Sequence, residues 1–210
     1  MPYQYIGILL DIPIYYTILQ SMVDSTIPNI FRIKDLGLSR SQINSLINNN
    51  KIIKLYRGIY YRSDYQFSEN ISMAAVAKMV PNAIFCLLTA LRFHGIGTQD
   101  PAKIWIAVHY KANKPSQRDL PIQVCRFSGN SLIYGIQKKT VDGISIRITD
   151  PARTIVDCFR YRNKIGLDVA LEALSEALGE RKVSRDAINN AAQAVGGITI
   201  IRPYMESFSR

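Results

Sequence analysis

Residues 30–62 constrain the fold of this chain most, because strand and helix periodicities follow one another within them in a definite order. The pattern predicts a short strand, a helix, a tight turn, a second helix and a two-stranded hairpin. Ser39 stands where the second helix needs an N-cap. Ile43, Leu46 and Ile47 follow at the i, i+3 and i+4 spacing of one buried helical face. This order of elements predicts a winged helix-turn-helix, a shape that places its second helix in the major groove of DNA.

The opposite face of that helix carries side chains that can read base edges. Amide and guanidinium groups hydrogen-bond bidentately to bases, and the first turns of such a helix usually enter the groove. The candidate DNA-binding residues of this face are Arg40, Ser41, Gln42, Asn44, Ser45 and Asn48. An ordinary solvated helix face would have a similar composition, so the helix alone leaves both interpretations open.

The segment after the helix adds a second signal. Residues 52–61 are rich in β-branched and aromatic side chains, and Gly58 allows the positive φ of a tight turn. Lys54, Arg57 and Arg62 are expected to place positive charge on or beside that turn, where a wing would meet phosphates. A small hairpin that only closes the core is the alternative. Helix and hairpin together favour double-stranded DNA as a partner.

The charge of the chain agrees with a polyanionic partner. It has 26 Lys and Arg against 16 Asp and Glu, a formal net charge of +10, and such a chain is attracted to polyanions in general. Residues 66–149 hold ten basic and four acidic side chains, the largest excess along the sequence. This middle segment could face phosphates, contact an acidic partner, or be a solvated surface without an assigned task.

A polar segment at residues 63–70 predicts the boundary between two domains. Residues 1–65 would form the winged-helix DNA-binding domain, with helical spacing at 15–23 predicting its first helix. Residues 66–210 would form the second domain. The predicted fold class is therefore α+β, an N-terminal winged helix-turn-helix followed by a mixed α/β domain. That second domain would have a central antiparallel or mixed sheet and a C-terminal helical segment.

Within the second domain, strands are expected mainly in residues 83–148 and helices in residues 150–208. The expected strands lie at 104–110, 122–127, 132–137 and 144–148, with a turn at Asp142-Gly143. The expected helices lie at 71–79, from 87 to 94, from 151 onward, at about 166–178, at 185–195, and from a Thr199 cap toward residue 208.

The sequence also bears on location and redox state. No Lys or Arg precedes Arg32, so the positive n-region of a signal peptide is missing. No stretch approaches the roughly 20 apolar residues of a membrane span, so we expect a cytoplasmic protein without a membrane partner. Cys86, Cys125 and Cys158 lie in apolar contexts and are expected to be buried, reduced thiols.

The supply of reactive residues argues against an enzyme. His94 and His109 are the only histidines, and neither forms a metal-ligand pair with the cysteines. Neither a phosphate-cradling GxxxxGK[ST] loop nor a GxSxG nucleophile turn occurs. The carboxylates of the middle segment are too widely spaced for a Mg²⁺ site. We therefore expect no catalysis, no cofactor and no metal, while a DNA-processing enzyme whose site is assembled across the fold stays open.

Three motifs in one order resemble those of the AbiEi-type antitoxins of type IV toxin–antitoxin (abortive infection) systems. The first is GLSRSQINSLINNNKIIKLYRGIYY at residues 37–61. The second is LTALRFHGI at residues 88–96, with Thr89 where Ser is usual in the family. The third is ITDPARTIVD at residues 148–157. The resemblance covers nearly everything from Ile30 to the end of the chain.

The resemblance implies a cytoplasmic bacterial or archaeal phage-defence protein with two activities. Its winged helix would repress its own operon by binding repeated operator sites. Its C-terminal part would neutralise a nucleotidyltransferase-type toxin without a stable complex with that toxin. A stand-alone winged-helix transcriptional regulator, with a ligand-binding or dimerisation domain, is the alternative.

Four residues of the second and third motifs, His94, Asp150, Arg153 and Asp157, are candidates for a site in the antitoxin domain. Each also has a structural interpretation. His94 could close a helix near its C-terminus, where a charged imidazole favours the dipole. Asp150 could be an N-cap, and Arg153 and Asp157 have the i, i+4 spacing of an intrahelical ion pair. The sequence leaves both interpretations open.

Overall fold

The computed structural model describes residues 27–113, 115 and 121–207. The helix expected at residues 15–23 lies outside these ranges. The N-terminal part of the described chain contains a short three-stranded sheet and one α-helix. Its elements are β1 (Ile30–Arg32), a 3-10 turn (Ile33–Asp35), α1 (Arg40–Asn48), β2 (Ile52–Tyr56) and β3 (Ile59–Arg62). The prediction of a first helix between β1 and α1 is wrong, because the segment forms only this 3-10 turn before Gly37 takes a positive φ of +64°.

The three strands of the small sheet are antiparallel in the order β1-β3-β2. Successive residues of β1 point to opposite faces, as in any strand. Phe31 packs with Leu46 of α1 and Ile52, whereas Ile30 packs with residues of the next helix, α2 (Ile71–Met79). The small sheet is therefore held between two helices.

A second, five-stranded sheet forms the centre of the remaining chain. Its strands are β4 (Ile84–Phe85), β5 (Ile104–His109), β6 (Ile122–Phe127), β7 (Ile136–Val141) and β8 (Ile144–Thr149). They lie in the order β6-β5-β4-β8-β7. The β5/β6 and β4/β8 pairs are parallel, and the other two pairs are antiparallel. The α+β class and a mixed central sheet are thus confirmed.

Helices cover both faces of this sheet. They are α2, α3 (Leu87–Phe93), α4 (Pro151–Arg160), α5 (Arg162–Ile165), α6 (Leu167–Gly179), α7 (Arg185–Val195) and α8 (Ile198–Ser207). Ile106, Ile122 and Ile148 pack with α2 on one face. Ala107 and Phe127, on the opposite face, belong to a cluster with residues of α4, α6 and α7. In the part of the chain that the structure describes, no helix is both long and apolar enough to cross a membrane.

Two expectations about the second part are wrong. Residues 132–137 do not form a strand, because the chain makes a 3-10 turn at Gly129–Leu132 and reverses at Gly135, which has φ +64°. The strand instead runs over Ile136–Val141. Thr199 does not cap the last helix, because the backbone oxygen of Gly197 already accepts bonds from Ile200 and Ile201. The cysteine expectation is confirmed, since all three thiols are free and buried.

The two parts of the chain share a hydrophobic cluster. Ile30 and Ile59 of the small sheet are fully buried in the cluster that contains Val76 of α2 and Ile148 of β8. The expected boundary segment is also tied down, because Asp142 accepts hydrogen bonds from the Tyr65 hydroxyl and from the Ser68 backbone N–H and hydroxyl at 2.8–3.0 Å. The N-terminal part therefore packs against the second part rather than hanging from a free linker.

Candidate functional site

Helix α1 begins with a capping box. The Ser39 hydroxyl accepts from the Gln42 backbone N–H at 3.3 Å, and Gln42 Oε1 accepts from the Ser39 backbone N–H at 2.9 Å. Two otherwise unpaired backbone donors are thereby satisfied. The cap expected at Ser39 is confirmed. The carbonyl end of Gln42, expected to face DNA, is used inside the helix terminus.

The outer face of α1 is polar and exposed. Arg40, Ser41, Asn44 and Asn48 are exposed, and Ile43 and Leu46 face the core, as the periodicity indicates. Ser45 is half-buried and its hydroxyl accepts from the Asn49 amide at 3.3 Å. The expectation that Ile47 belongs to the buried face is wrong, because Ile47 is 37% exposed. A nine-residue helix against a small sheet buries only a narrow stripe of side chains.

The hairpin after α1 presents two of its three expected cations at its turn. Gly58 has φ +80°, which glycine adopts at little cost, and Arg57 and Lys54 are exposed near the reversal. Arg62 does not lie beside the turn, because it pairs with Ile52 at the other end of the hairpin.

The Arg62 guanidinium contacts Asp64 through two hydrogen bonds, one of them at 2.9 Å. This contact lowers the pKa of the Asp64 carboxyl, so the pair stays ionised. Arg62 therefore closes the base of the hairpin.

In the second part, His94 is a half-buried contact between α3 and β8. Its Nε2 lies 2.7 Å from the Thr149 backbone oxygen, and a carbonyl only accepts, so Nε2 carries the proton. Burial lowers the pKa of His94. His94 is the C-cap of α3, so its expected position at the helix end is confirmed. The lowered pKa disfavours the partial charge expected there, and the ring acts as a hydrogen-bond donor to the sheet.

The third motif forms a fully buried ionic cluster. Arg153 Nε donates to Asp157 Oδ2 at 2.9 Å, and the side chains of both residues are 0% exposed. The remaining donors of Arg153 reach the Tyr134 and Ser131 backbone oxygens at 2.8 and 3.2 Å. Arg160 donates to the second carboxylate oxygen of Asp157 at 2.8 Å. Burial raises the pKa of Asp157, and both guanidinium groups oppose that shift.

Asp150 completes this framework as the N-cap of α4. Its Oδ1 accepts from the Arg153 backbone N–H at 2.8 Å, and its own N–H donates to the Gly135 oxygen at 2.8 Å. The cap is confirmed. The sequence pattern did not single out Gly135. Its neighbours require a glycine, because a Cβ there would lie 2.7 Å from Arg153 Cβ and 2.9 Å from Asp150 Oδ2.

These contacts give the structural interpretation of the third motif a physical basis. The loop of residues 128–135 is fastened to α4 by Arg153, Asp157 and Asp150. The side chains of Arg153 and Asp157 are completely shielded from solvent. A substrate or partner cannot contact side chains that are completely buried. Arg153 and Asp157 can therefore act on function only by holding the surface around them.

A groove of 430 Å³ lies next to this framework, between the N-termini of α4 and α7. Two of its polar lining residues, Lys182 and Ser184, have partners within the protein. Lys182 binds Glu176 at 2.7 Å, Glu180 at 2.8 Å and the Gly95 backbone oxygen, while Ser184 caps α7 through the Ala187 N–H at 3.1 Å. Among the described residues, no group of three His, Cys, Asp or Glu side chains could hold a metal ion.

The fold places the protein in the α+β class. Its N-terminal part presents the exposed polar face of α1. No family model and no curated protein matches the sequence. Among solved structures, the chain is similar to the crystal structure of the RV2827C protein from Mycobacterium tuberculosis, with a TM-score of 0.66. The likeness covers 94% of this chain and 78% of that chain at 12% identity. At this identity the likeness establishes the fold alone.

Proposed function

We propose that the protein is a cytoplasmic, non-enzymatic antitoxin of a type IV toxin–antitoxin system that also represses its own operon. In this proposal residues 30–62 act as a winged helix-turn-helix on double-stranded operator DNA. The part beyond about residue 70 neutralises a nucleotidyltransferase-type toxin. The toxin assignment rests on the resemblance of the three ordered motifs.

The single observation that carries the DNA-binding part is the pairing of a capped polar helix with a cationic hairpin turn. Arg40, Asn44 and Asn48 project from α1 as a continuous exposed face of groups that can bond base edges. Lys54 and Arg57 are exposed at the hairpin, where phosphate contacts would position the helix. Ser41 adds a hydroxyl at the N-terminal turn.

Binding to DNA from the protein's own promoter tests this part. Replacing Arg40, Asn44 and Arg57 together by alanine should weaken binding at least about tenfold and reduce the salt dependence by about one phosphate contact. The matched control replaces Arg202, Asn82 and Lys103, which are exposed elsewhere and change the charge equally. Unchanged affinity in the first triple variant, or an equal loss in the control, would contradict the proposed docking.

Co-expression tests the antitoxin part. A nucleotidyltransferase encoded beside this gene should arrest growth alone and lose that effect when the full chain is present. The Arg40, Asn44 and Arg57 triple variant should still restore growth, because neutralisation is assigned to the other part. Continued arrest despite soluble full-length protein would remove the antitoxin role. Absence of such a neighbouring gene, with operator binding intact, would favour the stand-alone transcriptional regulator.

A further inference from the structure

The carboxyl ends of β5 and β6 form an exposed surface that the proposed function does not use. The two strands are parallel and in register, so His109 pairs with Phe127 and the Tyr110 N–H donates to the Phe127 oxygen at 2.9 Å. Beyond that point the chain presents His109, Tyr110 and Lys111 to solvent, beside the exposed Arg126. We name these four residues the basic edge.

The backbone of the basic edge is held in place by its own polar groups. Arg126 Nη1 donates to the backbone oxygens of His109 and Ala112 at 3.1 and 2.6 Å. The Lys111 N–H donates to His109 Nδ1 at 3.1 Å, so a proton on that ring lies on Nε2. Both Arg126 contacts use a single nitrogen, and a guanidinium has five N–H donors. The rest of the group can therefore meet an anion without releasing the loop.

An aromatic platform lies within this basic surface. The Tyr110 side chain is 52% exposed, its ring centroid is 4.8 Å from that of His109, and Lys111 Nζ lies 5.5 Å from the ring centre. From the helical side, the Tyr161 hydroxyl donates to the Arg126 oxygen at 3.1 Å. Lys164 Nζ lies 5.4 Å from the Tyr161 ring centre. Aromatic faces and cations thus alternate across the end of the sheet.

The described cations at the platform are Lys111 and Arg126, with Lys164 nearby across Tyr161. Lys138 and Lys139 lie on β7, at the other edge of the sheet, and do not contribute to it. Among the described residues, neither Lys111 nor Arg126 has a carboxylate partner. Buried duplex bases cannot stack on an exposed tyrosine, whereas unpaired bases can, and flanking cations then bind the phosphates.

We propose that the basic edge binds single-stranded nucleic acid, with an unpaired base stacked on Tyr110 and phosphates held by Lys111 and Arg126. This site is separate from the α1 face proposed for duplex DNA. Ribose and deoxyribose strands share the chemistry, and His109 Nε2 adds a donor beside the sugar-phosphate chain.

Fluorescence anisotropy with labelled twelve-nucleotide oligo(U) and oligo(dT) tests the proposal on the full chain. The wild type should bind both probes, and tighter binding of oligo(U) would identify RNA as the preferred strand. Tyr110→Ala should weaken binding about tenfold, whereas Tyr110→Phe keeps the ring and should retain it. Circular dichroism and thermal unfolding of each variant establish that the fold is intact.

Charge-matched variants separate a site from a diffuse basic surface. Lys111→Gln should weaken binding and lower the salt slope by about 0.7. Lys103→Gln should leave both unchanged, because Lys103 is exposed at the opposite end of β5. Failure of the wild type to bind either probe, unchanged binding by Tyr110→Ala, or equal losses at Lys103 and Lys111 would overturn the proposal.

The duplex-binding variant separates the two sites. The Arg40, Asn44 and Arg57 triple variant should bind oligo(U) and oligo(dT) like the wild type, whatever its effect on operator DNA. Loss of single-strand binding in that variant would place the activity on α1 and overturn the assignment to the basic edge. Retained single-strand binding alongside failed operator binding by the wild type would remove only the duplex proposal.

Discussion

At the scale of single residues, Arg153 makes the most buried side-chain hydrogen bonds of the four candidate residues in the second and third motifs. It is 0% exposed, and its guanidinium joins Asp157 to two backbone oxygens of the loop before β7. A buried charge is tolerated only when it is paired and hydrogen-bonded. The side chain therefore links α4 to the loop that precedes β7.

Replacing Arg153 by methionine should destabilise the protein by about 3–5 kcal/mol, because Asp157 would lose a buried partner. Urea unfolding followed by circular dichroism measures this change. Adding Asp157→Leu should recover part of the loss, since the buried carboxylate, left with Arg160 as its one ionic partner, is then removed. Arg92→Gln, which breaks the exposed pair with Asp100 at 2.7 Å, is the control and should have no measurable effect. Equal effects at Arg92 and Arg153 would contradict the assigned role.

A second residue-scale prediction concerns pH. Burial, the largest influence, lowers the pKa of His94, while the Thr149 oxygen and Asp150 raise it and Lys139 lowers it. In the unfolded chain His94 titrates near pH 6.5. The unfolded state therefore binds more protons as the pH falls through that value, and stability decreases.

The free energy of unfolding should fall between pH 7 and pH 5, and His94→Gln should reduce that dependence. Glutamine can still donate to the Thr149 oxygen but does not titrate in this range. His109→Gln, at an exposed site, is the control and should leave the pH dependence as it is. An unaltered pH dependence in His94→Gln would show that other groups cause the acid sensitivity.

At the scale of elements, α1 depends on its N-cap. A nine-residue helix is marginal by itself, and α1 packs on the small sheet only through a narrow apolar stripe. The Ser39 capping box therefore fixes where the exposed polar face begins. Its loss would let the first turn, which carries Arg40 and Ser41, unwind.

Ser39→Ala should cost about 1 kcal/mol and also weaken operator binding several-fold. Ser184→Ala removes the equivalent cap of α7, where the hydroxyl accepts from the Ala187 N–H at 3.1 Å. That control should cost a similar amount of stability and leave operator binding unchanged. Unfolding curves and promoter-DNA binding measured on both variants give the two quantities. Equal binding by both variants would show that the α1 terminus does not contact DNA.

At the scale of the whole molecule, the cluster that includes Ile30, Ile59 and Ile148 couples the small sheet to the large one. The hydrogen bonds from Tyr65 and Ser68 to Asp142 add polar contacts across the same junction. Because apolar packing of this kind is lost on separation, the described parts should unfold together.

Ile59→Ala should therefore lower the unfolding midpoint reported by Trp105, the only tryptophan, although Trp105 lies in the other sheet. The expected loss is about 2–4 kcal/mol, since Ile59 is completely buried. Ile53→Ala, 40% exposed on the same hairpin, is the control and should cost less than about 1 kcal/mol. A Trp105 transition that does not move would show that the two sheets unfold independently.

The sequence by itself determined several of the local elements of this protein, although not the strand expected at residues 132–137. The caps at Ser39 and Asp150 lie where the residues predict them, and Asp142-Gly143 forms the two-residue turn between Val141 and Ile144. These features depend on hydrogen bonds within four residues and on the conformational freedom of glycine. Most of the polar face of α1 was predictable for the same reason.

Only the tertiary structure decided how those elements combine. The strand order β6-β5-β4-β8-β7 joins segments far apart in sequence, and it is selected by mutual burial rather than by local preference. The same long-range packing buried Arg153 and Asp157 and put Tyr110 beside Arg126. Local spacing carries no information about which surface a distant segment will cover, and that coverage decides what each side chain can bind.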